Sequence, residues 1–283
     1  MKLLAVLWDS VYPISKAVSE DSLFECTIHS QREIDGKPDK IEVLKEEMSS
    51  ADLIILHKTT HGFWDDIIPF VREIRDSRII CFSQDPTYWS LSNVNNGIVS
   101  KVYDYIQNGD RDNIENMFRF LENQFVDDSA EYSEPSRIPW QGIVHPGIPG
   151  KVYPSSEEYL AEYTYSDRPL IALIVSRSSW ITGQNDIEKE LIDEIESCGM
   201  GVLPIMTNSL HNEEMGSLNI AECLELHVLR DGKSIVKAVV KLVTFLIGRK
   251  PGVSAEESSR NADELLSKLN VPVFQPIIAL DMS

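Results

Sequence analysis

The chain has 283 residues, with 45 acidic side chains against 26 basic ones and a formal net charge of −19. That length holds one large or two ordinary domains, each able to bury its own core, and two suit the pattern better. The charge excludes a general nucleic-acid binder, because phosphate contacts need clustered Lys and Arg and no such cluster is visible.

From the N-terminus, residues 2–8 read as a first buried strand, 24–30 as a second, 53–56 as a third and 78–82 as a fourth. Helical patterns lie between several of them, at 40–48 and at 64–74, where Ile67, Phe70, Val71 and Ile74 share a face. After Pro86 the pattern changes to two helices, about 94–106 and 113–125, separated by the turn at Asn108-Gly109. Residues 126–154 are rich in Asp, Ser, Pro and Gly, and 127–167 reads as a connecting segment, packed on the surface through Tyr132, Trp140 and Tyr153. The alternation then restarts: strand 170–175, helix 186–197, strand 202–206, a strand or helix at 235–246, helix 255–268 and strand 271–278, with residues 224–229 as a further candidate strand. The expected fold class is therefore α/β, as two doubly wound, flavodoxin-like modules with mostly parallel sheets. The first spans residues 1–126 and is closed by two helices; the second spans 168–283.

No run reaches the roughly 18 apolar residues of a membrane span. The opening MKLLAVLWDS is too short for a signal sequence and has no small-residue cleavage site, so a cytoplasmic protein is expected. Cys26, Cys81, Cys198 and Cys223 are far apart with no C-x-x-C spacing, and read as buried reduced thiols rather than as disulfides or metal ligands.

In parallel sheets ligands collect beyond the carboxyl ends of the strands, where helix N-termini present unpaired N–H groups. This points to the loop after strand 170–175. There Arg177 could grip a phosphate or carboxylate with a bidentate fork, and Ser178, Ser179, Thr182, Gln184 and Asn185 add hydroxyls and amides just before a helix. The same residues also fit a plain structural role, with Asn185 capping the helix and the serines satisfying backbone groups. Asp85, in Ser83-Gln84-Asp85-Pro86, stands at another strand end as a candidate base or ligand. His57 and His61 follow the third strand, but no acidic or Cys partner is spaced to complete a metal site, so a polar strand-end loop is favoured and no metal is expected. His145, held extended by Pro146, is a candidate site residue whose favoured role is a structural hydrogen bond. There is no Walker loop, no GxGxxG, no HExxH and no GxSxG, so any ATP hydrolysis must come from elsewhere.

Residues 168–204, RPLIALIVSRSSWITGQNDIEKELIDEIESCGMGVLP, resemble a segment of the large subunit of tetrapyrrole metal chelatases, the family of cobaltochelatase CobN and its magnesium chelatase counterpart. Three further pieces stand in the family's order. These are Tyr105-Ile106-Gln107-Asn108-Gly109 with Asn113, then Pro139-Trp140-Gln141-Gly142-Ile143-Val144-His145-Pro146 with Glu158-Tyr159-Leu160, and Val243-Thr244-Phe245 to Gly248 with residues 265–272. Departures are Val144 before His145, where the family has an aromatic residue, and the turn Gly248-Arg249-Lys250-Pro251. The resemblance implies an N-terminal portion of a tetrapyrrole-binding subunit that works with a separate AAA+ ATPase and accessory subunits. Tetrapyrrole would be the substrate, Co2+ or Mg2+ and ATP would be used by the complete complex, and no tightly bound cofactor is expected. Cobalt insertion into a corrin-ring precursor is favoured over magnesium insertion, and no catalytic residue is carried over, since the family's catalytic region lies mainly downstream. Two other readings stay open: a non-catalytic module that binds a tetrapyrrole or docks on chelatase subunits, and a flavodoxin-like flavin binder.

Overall fold

Runs of Leu, Ile and Val with few polar interruptions form strands buried on both faces, and such strands pair in parallel only when helices cover the sheet. A computed structural model describes residues 1–244, 246–248 and 252–276, which divide into two units, Met1–Arg137 and Ile138–Ser283.

In the first unit four strands, β1 (Lys2–Leu7), β2 (Glu25–Ser30), β3 (Leu53–His57) and β4 (Arg78–Phe82), form an all-parallel sheet in the order β2-β1-β3-β4. Leu3 lies beside Cys26 on one side and Leu53 on the other, so Leu3, Ala5, Leu7, Leu53 and Ile55 face one core while Leu4, Val6, Ile54 and Leu56 face the second. Helices α1 (Tyr12–Ser19), α5 (Asn96–Gln107) and α6 (Arg111–Phe125) cover the first face. Helices α2 (Gln31–Ile34), α3 (Pro38–Ser50) and α4 (Trp64–Val71) cover the other. A 3-10 turn, Pro86–Leu91, follows β4.

In the second unit the sheet order is β12-β11-β7-β8-β5-β6. Strands β7 (Leu170–Ser176), β8 (Gly201–Thr207), β11 (Val236–Lys241) and β12 (Val273–Phe274) run parallel, whereas β5 (Gln141–His145) and β6 (Ile148–Tyr153) form an antiparallel hairpin added to β8. Helices α7 (Ser156–Glu162), α10 (Ile220–Val228) and α11 (Ala255–Leu269) pack on one face, and α9 (Asp186–Ser197) on the other with the short α8 (Arg177–Ile181). A small hairpin, β9 (Leu229–Arg230) and β10 (Lys233–Ser234), links α10 to β11. Both units are α/β with helices on two faces and mostly parallel sheets. Among the described residues no helix is long and apolar enough to cross a membrane.

Four expectations are corrected. The segment 127–167 is not a connection as a whole. Its first part is tied to the first unit, where the Tyr105 hydroxyl donates to the Ser133 carbonyl at 2.5 Å and Asn113 bonds Ser136 in both directions. Its remainder supplies β5, β6 and α7 to the second sheet. The candidate strand 224–229 lies mostly in α10, because Asn219 and Glu222 close a capping box and Ile220, Cys223, Leu224 and Val228 recur at helical spacing on the buried face. The last strand is only Val273–Phe274, and Ile277 and Ile278 lie outside the described residues, as do Phe245, Arg249, Lys250 and Pro251 of the motif after β11. All four cysteines are free, but only Cys81 and Cys223 are buried, Cys26 being half-buried and Cys198 exposed.

Candidate functional site

The central strands of the second unit deliver a row of polar side chains to the carboxyl edge of the sheet. Ser176 pairs with Thr207 in parallel register and Gln141 pairs with Thr207 from the antiparallel side. Most of this row holds the loop after β8. The Gln141 amide donates to the Gly216 carbonyl at 3.1 Å and accepts from Leu218 N at 3.2 Å, and Thr207 Oγ1 accepts from Ser209 N at 2.9 Å. Beside it the buried Lys241 ammonium donates to the Val243 carbonyl at 3.0 Å, and desolvation pulls its pKa below the ordinary lysine range. By sequence Gln141 stood out only within the motif at 139–146, and Thr207 and Lys241 did not stand out; what marks all three is their position at a strand end.

The expected loop is a capped turn of helix. Ser176 Oγ accepts from Ser179 N at 3.4 Å to start α8, and Gly183 then takes φ 72°, a conformation that suits a residue without Cβ. Arg177 does not reach outward. It is 4% exposed, donates from Nε to the Pro139 carbonyl and from Nη2 to the Ile138 carbonyl, each at 2.9 Å, and lies 4.3 Å above the Trp140 ring. The guanidinium fork that sequence assigned to an anionic ligand instead ties the chain entering β5 to the end of β7.

The rest of the loop divides by hydrogen bonding. Thr182 Oγ1 donates back to the Ser178 carbonyl at 2.8 Å, and Gln184 Nε2 donates to Thr182 Oγ1 at 3.3 Å. The half-buried hydroxyls of Ser178 and Ser179 make no hydrogen bond among the described residues. Asn185 flanks α9 but does not cap it: it is 5% exposed and its Oδ1 has no partner. Glu188, one turn on and missed by sequence reasoning, is also buried, and desolvation pushes its carboxyl pKa up. The pattern Asn-x-x-Glu closes a capping box at Asn219 and Glu222 but stays open here, leaving two buried acceptors at the loop's end. Ser178, Ser179 and Asn185 can therefore address the rim of a ligand, and hydrogen donors suit them better than anions.

His145 is structural in its contacts. Gly147 N donates to Nδ1 at 3.0 Å, which leaves Nε2–H to meet Glu196 Oε1 at 3.1 Å, and the same oxygen accepts from the Tyr163 hydroxyl at 2.5 Å. Asp85 belongs to the first unit. It caps the 3-10 turn, accepting from Thr87 N at 2.9 Å and Thr87 Oγ1 at 2.7 Å, bonds that hold its pKa below the usual carboxylate range. At the same edge His61 Nδ1 meets Asp35 Oδ2 at 2.8 Å, and burial pushes the His57 imidazole down to about 4. Among the described residues no three His, Cys, Asp or Glu side chains group as a metal site.

Residues 103–283 match the CobN/Magnesium Chelatase family. An uncharacterized protein of Methanocaldococcus jannaschii is 26% identical over 285 residues, covering 99% of this chain and 21% of its own. The chloroplastic magnesium-chelatase subunit ChlH of Oryza sativa subsp. japonica is 26% identical over 244 residues, 80% of this chain and 16% of that protein. Among solved structures, the catalytic subunit of cobaltochelatase from Mycobacterium tuberculosis matches with a TM-score of 0.55 at 19% identity, covering 97% of this chain and 21% of that one. At that identity the likeness is one of fold. The chain spans about a fifth of the length of these relatives.

Proposed function

The chain belongs to the CobN/magnesium chelatase family, and from that premise we propose that it forms part of the large, tetrapyrrole-binding subunit of an ATP-dependent metal chelatase. The family match over residues 103–283 carries this reading, because it covers the whole sheet of the second unit with its polar edge. The reaction proposed is insertion of Co2+ into a corrin-ring precursor in cobalamin biosynthesis, in the cytoplasm, with Mg2+ insertion into a porphyrin as the alternative. An AAA+ ATPase subunit is the proposed partner, since these 283 residues contain no Walker loop to work with ATP.

Within this reading the chain's own contribution is to hold the macrocycle. Ser178 and Ser179 offer free hydroxyls, and Asn185 offers an acceptor, to groups on the ring's rim. Asp186 and Glu188 beside them disfavour a carboxylate, so a rim group that donates N–H, such as a primary amide, is preferred. Arg177 keeps the platform in place through the carbonyls of residues 138 and 139. The test is a titration of the purified chain with a corrin precursor carrying amide side chains and with a dicarboxylate porphyrin, followed by absorbance. Binding of the amide-bearing ring, weakened about 10-fold by Asn185→Leu, is expected. Absence of binding by both rings would overturn the reading.

A further inference from the structure

The sheet of the first unit changes winding direction between β1 and β3: β1 leads to β2 on one side, and the chain then returns to β3 on the other. At such a switch point the loops after two neighbouring strands part, and a crevice opens beyond their carboxyl ends. The residues delivered there are Trp8, directly after β1, and His57 and Lys58, at and after the end of β3.

Trp8 is 39% exposed, although it is a large aromatic side chain. Its ring centroid is 6.4 Å from that of His57 and 6.1 Å from that of His61, so one indole is flanked by two imidazoles. Behind His57 the aromatic row continues through Phe82 at 5.0 Å, then Tyr103 at 5.7 Å and Trp89 at 5.1 Å. His57 Nδ1 is buried without a hydrogen-bond partner, and the ring is held neutral by burial. The strand end beneath is braced by Gln31, which is fully buried, donates to the His57 carbonyl at 2.6 Å and accepts from Trp64 Nε1 at 3.1 Å and from the Thr59 hydroxyl.

Charge at this edge is also arranged. Asp9 accepts from Arg32 N at 3.1 Å and lies 3.6 Å from the Arg32 guanidinium; Asp35 is held by His61 and by Phe63 N at 3.3 Å; Asp85 is taken up by Thr87. Lys58 rests its ammonium 4.2 Å above the Tyr88 ring, makes no ion pair within 4 Å among the described residues, and its charge helps to lower the Asp85 pKa. An exposed indole between imidazoles, beside a lysine ammonium that has no direct ion pair among the described residues, suits a flat conjugated ring that carries an acidic group.

We propose that the switch point of the first unit is a ligand site, separate from the loop after β7, in which Trp8 stacks on a planar conjugated ring and Lys58 binds that ring's acidic substituent. Two sources share this chemistry: a macrocycle with carboxylates, and a flavin with a phosphate. The experiment titrates the whole chain with mesoporphyrin and, separately, with flavin mononucleotide, following ligand absorbance and fluorescence. Binding of either is expected to weaken ~10-fold or more in Trp8→Ala, the loss of one stacked aromatic, and by a similar factor in Lys58→Ala. It should be retained in Trp8→Tyr and in Ser197→Ala, an exposed position that contributes to neither strand edge. Porphyrin binding alone identifies the macrocycle, and flavin binding alone the nucleotide. Binding that is indifferent to Trp8→Ala and Lys58→Ala, or absent for both ligands, overturns the proposal. Loss in Ser179→Ala without loss in Trp8→Ala also overturns it, while leaving the chelatase reading intact.

Discussion

Replacing Arg177 by Met separates a structural guanidinium from a ligand contact. Met keeps most of the aliphatic stem but removes the hydrogen bonds to the carbonyls of Ile138 and Pro139 and the stack on Trp140. A hydrogen bond with a charged partner contributes about 1.5–3 kcal/mol, and an aromatic–cation contact about 0.5–2 kcal/mol, so the gross loss is on the order of 3.5–8 kcal/mol. Part of this is recovered. Removing a buried charge relieves a desolvation cost that runs to several kcal/mol, and Pro139 is exposed enough for water to reach its carbonyl once the side chain is gone. A net destabilisation of about 2–4 kcal/mol results, within the range of a severe single substitution. Urea unfolding followed by far-ultraviolet circular dichroism should show a lower midpoint with an unchanged slope. Ring ligands that bind the folded protein should bind the variant with wild-type affinity under native conditions. A midpoint unchanged to within about 0.5 kcal/mol together with lost ligand affinity would refute the assignment and restore Arg177 to the ligand.

Gly142→Ala should destabilise the second unit by about 2–4 kcal/mol, read as a lower Tm, because a Cβ there would lie 2.5 Å from Val152 Cγ1 and 2.9 Å from the Tyr153 carbonyl at φ 156°. His227 is 1% exposed and burial lowers its pKa from 6.5 to about 4, so between these values the unfolded chain binds the extra proton and the folded one does not. Stability therefore falls as pH drops from 6.5 towards 4, by about 3 kcal/mol from this group, and a pH series of urea midpoints should lose that share of the slope in His227→Leu, the share of the similarly lowered His57 remaining. Residues 1–137, expressed alone, should unfold cooperatively in urea, since that unit contains its complete four-stranded sheet and both flanking cores; a non-cooperative transition would show that it does not fold by itself.

Local pattern was enough to determine the α/β class, the four strands of the first unit and the strand–helix–strand stretch from β7 to β8. Runs such as LIILH and LIALIVS can be stable only as strands buried on both faces, and α9 repeats its apolar residues at helical spacing. The turn at Asn108-Gly109 likewise separates α5 from α6 in either account. What local pattern did not contain was partnership. The hairpin of β5 and β6 has a sequence, QGIVHPGIPGKVY, whose Gly and Pro content reads as a connection, and it becomes two strands because Gln141 to Ile143 pair with the edge of β8. The side-chain roles divide in the same way. Arg177 at a strand end had the right chemistry for an anion, but its acceptors were 38 and 39 residues upstream, and only the folded chain brings those carbonyls within 2.9 Å. Asn185 and Glu188 spell a helix cap that the backbone at Asn185, φ −122° and ψ 30°, does not permit, so the unpartnered Oδ1 of Asn185 is a tertiary fact. Trp8 and His57 are 49 residues apart in sequence and become neighbours because β1 and β3 are adjacent in the sheet. Periodicity reports which face of an element is buried, whereas a site depends on which strand ends meet, and that is decided by pairing between segments distant in the chain.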